Sequence, residues 1–363
     1  MKGYKATDKN MCCRGFQYEI SKIYKTKGKL ELCENGFHFC EKLIAIDTYY
    51  DLSTSRIFEI EATGTIEKDG LKFCTNEIKF IRELSKEEIS NEVNSYMKDR
   101  DKSVRILLAS SGFASPETLK ELSKDRSYEV RYETTQNVNI NTKLLKCFIK
   151  DRSSKVRSAV AENPNINIEI LNVLSKDKEA SVRCSVARNV NTTTKLLDSL
   201  SKDTNSKVRC RVAANQNTNQ KSLNKMSKDK DWYVRKTLVK NPNIPKEVLA
   251  QLAQDEDWSI RCEVAINTNT DGPTLERLRM SKEPEVRYWV ALNRNANPDT
   301  LASLSKDVDY IVRYNVATNP KTKIETLITL MKDETFSVRN IAKKILQSRM
   351  RENTYKEGIK NLI

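Results

Sequence analysis

The chain has 363 residues, of which 38% are hydrophobic and 31% are charged, a composition that excludes a largely disordered protein. No apolar run approaches the ~20 residues that a membrane-spanning helix needs, and the polar start Met1–Asp8 lacks the apolar core of a secretory signal. We therefore expect a cytoplasmic protein that makes no membrane contact, and we expect its nine cysteines to be reduced thiols.

The net charge of +15 is unevenly distributed along the chain. Residues 1–95 contain 15 basic and 16 acidic residues, so 49 of the 64 basic and 33 of the 49 acidic residues follow, a surplus of 16 positive charges. A surface with this surplus attracts polyanions, and salt screens the attraction. The sequence therefore predicts a nucleic acid or nucleoprotein as the partner of the second part, with an acidic protein surface as the alternative.

Residues 1–95 predict a small α+β domain. Short segments of alternating apolar residues indicate strands at Leu30–Leu32, Phe37–Phe39 and Ile57–Glu61. Helices are predicted over Glu41–Tyr50 and over Glu87–Met97, and the second of these leads into the rest of the chain.

Several blocks of this domain resemble a small uncharacterised domain found in phage and prophage proteins. The blocks are Cys13–Glu19, Cys33–Cys40, Tyr49-Tyr50, Glu59–Ala62 and Ile81–Leu84. The resemblance implies a setting in a mobile genetic element and carries no activity with it.

The same domain contains soft side chains that could bind a metal. They are Cys12, Cys13, Cys33, His38, Cys40 and Cys74. No CxxC pair is present among them, so we expect buried thiols and a packed histidine rather than zinc, and we predict neither a metal nor a cofactor. His38 is the only histidine, which excludes any mechanism that needs two imidazoles.

The order of three segments is similar to that of the nicotinamide-binding core of ADP-ribosyltransferases: Tyr4–Thr7, Gly36–Phe39 and Tyr49-Tyr50. That resemblance implies Glu61 as the catalytic carboxylate. Lys5 stands where those enzymes place a histidine or an arginine. We expect a binding module here, with a degenerate transferase as the alternative.

An arginine recurs ten times at intervals of 26 residues, from Arg105 to Arg339. A fixed period of this length indicates a stacked repeat protein. We predict an all-α right-handed solenoid of about ten two-helix repeats over residues 96–350, followed by a C-terminal helical tail over 351–363.

The repeat around Arg183 shows the design. Glu179 is placed to cap the first helix, Val186 lies on its buried face, and Asn189 is expected to end it in the left-handed conformation that asparagine tolerates. Leu197 is a core residue of the second helix. Helices this short are unstable alone, so each pair must be stabilised by stacking on its neighbours.

The segment Asn241-Pro242-Asn243, followed by Leu249–Leu252 and Ile260-Arg261, resembles the signature of the leucine-rich repeat variant and of HEAT-like repeats. These families serve mainly as binding scaffolds. Some HEAT-like members are DNA glycosylases, which gives a further alternative.

The recurring arginines have recurring aspartates six residues before them, so we interpret both as an internal structural ladder that also uses loop carbonyls. Its members include Arg131, Arg157, Arg183, Arg209, Arg235, Arg261, Asp125, Asp151, Asp177, Asp203, Asp229 and Asp255.

The lysine before each aspartate has no acidic residue at a matching register, so these lysines and Trp289 are the residues we predict to contact a partner. The lysines are Lys98, Lys124, Lys150, Lys176, Lys202, Lys228, Lys306 and Lys332. Aromatic residues three positions before the arginine are expected to seal neighbouring repeats rather than to stack on bases. The function predicted is non-enzymatic binding of nucleic acid, and, given the phage-like front domain, interference with a host nucleic-acid-guided defence system.

Overall fold

The computed structural model describes residues 1–30 and 35–360. The chain forms two compact units, Met1–Ser185 and Val186–Ile363. Within the described residues no helix is long and apolar enough to cross a bilayer.

The front of the first unit is an antiparallel sheet. Its strands are β1 (Lys2–Thr7), β4 (Ile23–Lys25), β5 (Phe37–Cys40), β6 (Arg56–Ala62), β7 (Ile66–Asp69), β8 (Lys72–Thr75) and β9 (Glu77–Glu83), and a separate hairpin contains β2 (Cys12–Cys13) and β3 (Phe16–Gln17). The strand order is β4-β9-β6-β1-β5-β8-β7. The strands predicted at Phe37 and Ile57 are confirmed, whereas Leu30–Leu32 lies mostly outside the described residues.

The two faces of the sheet have different cores. On one face Phe39, Phe58 and Phe80 pack with Tyr18, which lies in the segment between β3 and β4. The other face packs against a 3-10 helix, Leu43–Thr48, where the sequence had predicted a longer α-helix. That second core continues into α1 (Lys86–Ser95) and the first repeat, so the compact unit extends well beyond residue 95.

The rest of the chain alternates first and second helices, and the predicted fold class is confirmed. The first helices are α2 (Lys102–Ser110), α4 (Tyr128–Gln136), α6 (Ser154–Glu162), α8 (Ala180–Arg188), α10 (Ser206–Ala214), α12 (Trp232–Val239), α14 (Trp258–Ile266), α16 (Pro284–Leu292), α18 (Tyr310–Thr318) and α20 (Phe336–Lys360). The second helices are α3 (Pro116–Leu122), α5 (Thr142–Leu145), α7 (Ile168–Leu174), α9 (Thr194–Leu200), α11 (Gln220–Met226), α13 (Lys246–Leu252), α15 (Gly272–Leu278), α17 (Pro298–Leu304) and α19 (Ile324–Leu330). The last helix, α20, continues past residue 351 without the break that the sequence had suggested.

The residue four positions before each arginine caps the first helix, but the side chain takes part only in some repeats. The side chains of Asp101, Asn205, Asp231, Asp257 and Asp309 accept a hydrogen bond from the backbone amide two residues later. The shorter Ser127 and Ser153 make no such bond, so their helix starts lack this contribution.

The asparagine that ends the first helix does not adopt the left-handed conformation that we predicted. Asn137, Asn163, Asn215, Asn267, Asn293 and Asn319 have φ between −75° and −63° and ψ between 126° and 137°, which is extended backbone. Asparagine is required at this position because its side-chain amide forms hydrogen bonds to the preceding repeat. Asn241 is typical: its Nδ2 donates to the carbonyls of Ala213 at 2.7 Å and Asn215 at 3.0 Å, one repeat earlier, and its Oδ1 accepts from the amide of Asn243 at 2.9 Å.

We expect Asn241→Ala to lower the free energy of unfolding by about 2–4 kcal/mol, because each buried polar group left without a partner costs roughly 1–3 kcal/mol. Asn241 is 1% exposed, so water cannot replace the lost bonds. Urea unfolding monitored by circular dichroism measures the change. Asn224→Ala, at an exposed position of α11, is the control and should change stability little; equal losses in the two variants would contradict the role of the buried amide.

Candidate functional site

The ladder arginines connect consecutive repeats. Arg209 donates through Nε to Oδ2 of Asp229 at 2.6 Å and through Nη2 to Oδ1 at 2.8 Å, while its Nη1 donates to the backbone carbonyl of Asp203 at 2.8 Å. The side-chain partner is therefore the aspartate of the following repeat, 20 residues later, and the aspartate six residues before contributes only its carbonyl. The pairs are Arg105–Asp125, Arg131–Asp151, Arg157–Asp177, Arg209–Asp229, Arg235–Asp255, Arg287–Asp307 and Arg313–Asp333.

These ion pairs are buried and bidentate. The arginine side chains are between 6% and 12% exposed. The hydrogen bonds that Arg313 donates to Asp333 raise the pKa of Arg313 and lower the pKa of Asp333, so both partners of this pair stay charged. Arg183 likewise donates to the carbonyl of Asp177, at 2.7 Å. Guanidinium groups held in this way are not available to an external phosphate.

The ladder adapts where the sequence breaks its pattern. Ser281 stands at the aspartate position of one repeat, so Arg261 lacks the usual carboxylate. Glu283, at the cap position of the same repeat, supplies one instead and accepts from Nη2 of Arg261 at 2.6 Å. The substitution is therefore compensated within the repeat, and the carbonyl of Asp255 still accepts from Arg261 at 2.6 Å.

Arg209→Met should destabilise the protein by about 3–5 kcal/mol, because it leaves the carboxylate of Asp229 buried without its partner. Adding Asp229→Asn should recover part of that loss, since the charge is removed while an oxygen can still accept from the amide of Asp231. Chemical denaturation of the single and double variants gives both numbers. Arg211→Met removes the same charge from an exposed position of the same helix and serves as the control; a loss as large as that of Arg209→Met would rule out the ladder.

All eight predicted lysines are exposed, and each lies at the start of the loop that joins a second helix to the next first helix. Two of them have an acidic neighbour that we did not predict: Lys124 pairs with Glu121 at 3.0 Å and Lys202 with Asp198 at 3.7 Å. In the described part of the chain, the other six have no carboxylate oxygen within 4.0 Å.

The same loops contain a second set of cations that the sequence analysis missed. Exposed and half-buried residues alternate in most of these loops, as in Lys228, Asp229, Lys230, Asp231 and Trp232. The aspartate and the cap point inward, so the residue between them points outward. The exposed cations at that position are Arg100, Arg126, Arg152, Lys178, Lys230 and Lys282. The sequence already places a charged residue at every second position in most of these loops. We considered only helical periodicity there, and therefore did not predict the second set of cations.

The aromatic residues at the start of the first helices are exposed, although the amine of Lys155 in the following repeat donates to the hydroxyl of Tyr128 at 3.3 Å. Tyr128, Trp232, Trp258, Tyr310 and Phe336 are 36%, 48%, 47%, 49% and 70% exposed. They occupy the next outward-facing position after the lysine and the second cation of each loop. We call the surface formed by these three positions, the lysine, the second cation and the aromatic residue, the loop edge.

Trp289 lies elsewhere. It is half-buried and packs edge-on against Tyr288, with ring centres 4.8 Å apart, on α16 rather than in a loop. It therefore lies outside the loops that contain the predicted lysines, and the loop before α16 has Met280 at the lysine position.

The front domain contains a cavity of about 470 Å³. Its walls include Lys5, Tyr18, Phe39 and Tyr50. Lys5 is 5% exposed, and its Nζ donates to the carbonyl of His38 at 2.8 Å.

The environment of this cavity shifts several pKa values. Burial lowers the pKa of Lys5, and burial together with Lys72 lowers the pKa of His38 to about 4. Burial also raises the pKa of Cys40 to about 11. His38 is therefore neutral at physiological pH. Among the described residues, no three of the residue types His, Cys, Asp and Glu cluster as metal ligands would, and Cys33 lies outside them.

Glu61, the carboxylate implied by the transferase resemblance, is not part of the cavity. It pairs with Lys2 across β1 and β6, while Lys5 pairs with Phe58. Directly paired residues share a face, and positions an odd number apart lie on opposite faces. Glu61 and Lys5 are therefore on opposite faces of the sheet, and the structure does not assemble that constellation.

In comparisons with known proteins, the front domain and the helical repeats match different proteins. A family model described as a domain of unknown function, DUF7666, matches residues 1–92. Among solved structures, a leucine-rich repeat variant with a novel repetitive structural motif is 26% identical, over 61% of this chain and 88% of that one, with a TM-score of 0.50. Kap121p is 12% identical, over 72% of this chain and 41% of that one, with a TM-score of 0.42. No curated protein matches the chain. The helical repeats are thus similar in structure to the leucine-rich repeat variant that the sequence pattern resembled.

Proposed function

We propose that the repeats bind nucleic acid along the loop edge of the first unit. Four consecutive loops there each present two exposed cations: Lys98 and Arg100, Lys124 and Arg126, Lys150 and Arg152, Lys176 and Lys178. This row of eight cations is the observation that supports the proposal. It extends the single row of lysines that the sequence predicted.

The ladder explains why the loop edge is basic. Seven of the ladder arginines are each paired with a buried aspartate, and these pairs contribute no net charge. The surplus of 16 positive charges after residue 95 therefore belongs to the residues outside these pairs. Exposed lysines that contact phosphates release condensed counterions, which is the main source of sequence-independent affinity for nucleic acid.

The spacing of the loops suits a regular polyanion. Packed helices lie roughly 8–10 Å apart, whereas phosphates of one strand of B-form DNA advance by ~3.4 Å each. Successive loops would then meet about every third phosphate of a strand. Tyr128, 36% exposed in the same row and with the amine of Lys155 5.1 Å from its ring centre, adds a surface on which a base can stack.

An acidic protein is the second candidate partner, because the same cations would attract carboxylates. The two partners differ in how binding responds to salt. A nucleic acid gives a linear fall of log affinity with log salt concentration, and its slope reports the number of phosphates contacted. The proposed role in interference with a host defence system rests on the resemblance of the front domain alone.

We expect the triple variant Lys98→Gln, Lys150→Gln, Lys176→Gln to reduce that slope by about 2–3, since each lost phosphate contact removes roughly 0.7 for single strands and 0.9 for duplexes. These three lysines have no ion-pair partner within 4.0 Å in the described structure. Fluorescence anisotropy with a labelled oligonucleotide, at several salt concentrations, measures the slope for single-stranded and duplex DNA and for RNA.

The control is Lys143→Gln, Lys195→Gln, Lys221→Gln, which removes the same charge from exposed positions at the start of second helices, the end away from the loop edge. It should leave the slope nearly unchanged. Equal slopes for the two triple variants would contradict the assignment to the loop edge. Absence of binding to any of these nucleic acids at low salt would contradict the proposed function.

A further inference from the structure

The innermost wall of the front-domain cavity contains the buried amine of Lys5. In the described residues, no carboxylate oxygen lies within 4.0 Å of Lys5 Nζ. Its neighbours are the carbonyl of His38, the thiol of Cys13 and the ring of Tyr18, whose centre is 5.4 Å away. A buried ammonium group that lacks an anion is unfavourable, and an incoming anion would relieve that cost.

Among the described residues that line the cavity, none is an aspartate or a glutamate. The basic residues of the lining are Lys5, Arg14, Lys25 and Lys72, and Lys25 pairs with Glu77 at 2.9 Å. A concave site with charge of one sign concentrates ions of the opposite sign.

The upper walls are aromatic and open to solvent. Phe16, Tyr49 and Tyr50 are 42%, 47% and 40% exposed, while Phe39 and Tyr18 close the inner part at 3% each. A volume of about 470 Å³ is within the range of small-molecule sites, ~300–1,000 Å³. Flat side chains of this kind favour a flat ligand ring, by offset or edge-on contact.

From these three features we infer that the cavity is a binding site for a small aromatic anion of the nucleoside monophosphate class, with the phosphate at Lys5 and the base between the rings at the mouth. The inference is independent of the proposed function, since the site lies in the front domain and uses none of the loop-edge residues. It assigns binding and no reaction.

Binding of this kind is linked to protonation of Lys5. Burial lowers the pKa of Lys5 below the ordinary lysine value of ~10.4, and a bound phosphate would raise it again. Above the lowered pKa, binding therefore takes up a proton, and affinity falls as the pH rises. The other titratable groups that face Lys5 are Cys13, Tyr18, Cys40, Arg14 and His38.

Isothermal titration of the full chain with adenosine 5′-monophosphate, adenosine and inorganic phosphate tests the inference. We expect the monophosphate to bind more tightly than either fragment, and its affinity to decrease as the pH is raised. Lys5→Met should weaken binding of the monophosphate at least tenfold and abolish the pH dependence. Loss of the buried charge does not endanger folding, because a buried ion replaced by an apolar side chain of similar size is often tolerated.

Two further variants serve as controls. Lys2→Met removes a charge from a side chain that is 81% exposed on the same strand, and it should leave affinity unchanged within twofold. Tyr49→Ala, at the exposed mouth, should weaken the monophosphate about three- to tenfold and leave inorganic phosphate unaffected.

No binding of the monophosphate at millimolar concentration would overturn the inference, and so would equal affinities of the wild type and Lys5→Met. If the loop-edge triple variant, and not Lys5→Met, abolished binding, the cavity assignment would fail while the loop-edge proposal would stand.

Discussion

The repeats depend on one interaction, the bidentate pair between an arginine of one repeat and an aspartate of the next. A buried guanidinium is tolerated only if its charge and its donors are matched, and here a carboxylate and a loop carbonyl match both. Because the aspartate belongs to the following repeat, the pair also fixes how consecutive repeats stack. The buried asparagine amides do the same at the other end of the first helix. Within the described chain, Ser158 Oγ is the only buried side-chain polar atom left without a partner.

The ladder also decides what the surface can do. The residue between two inward-pointing acidic or cap positions must point outward, so the same loop that holds the arginine presents cations to solvent. Within one short loop, the outward-facing residues can therefore bind a partner, while the neighbouring inward-facing residues stabilise the stacking of the repeats. A residue such as Lys150 can change without disturbing Asp151, whose carboxylate accepts from Arg131 at 2.6 Å and 2.9 Å. The front domain follows the opposite design, since its cation, Lys5, is buried and its ligand would have to enter.

The repeat period, the helix positions and the internal use of the arginines could be predicted from the sequence, because they follow from a fixed spacing and from the cost of burying charge. The partner of each arginine could not, since Asp203 and Asp229 are equally plausible for Arg209 until the stacking is known. The role of the asparagines such as Asn241 was predicted wrongly for a related reason. The sequence suggested a local role at the end of a helix, whereas the buried side-chain amide forms its hydrogen bonds with the preceding repeat. The transferase resemblance had grouped Tyr4–Thr7, Gly36–Phe39 and Tyr49-Tyr50, and all three segments contribute to the cavity. The burial of Lys5 against Tyr18 could not be predicted, because the two residues come together only in the folded sheet.

The central claim is that the arginines are internal and that the loop edge alone faces the partner. Acylation of lysines by a reagent in limiting amount, read by mass spectrometry with and without bound oligonucleotide, tests it most directly. The account predicts that Lys98, Lys150 and Lys176 are protected in the complex, and that Lys143, Lys195 and Lys221 react at the same rate in both states. Uniform protection of the two sets, or protection of the second set alone, would contradict it.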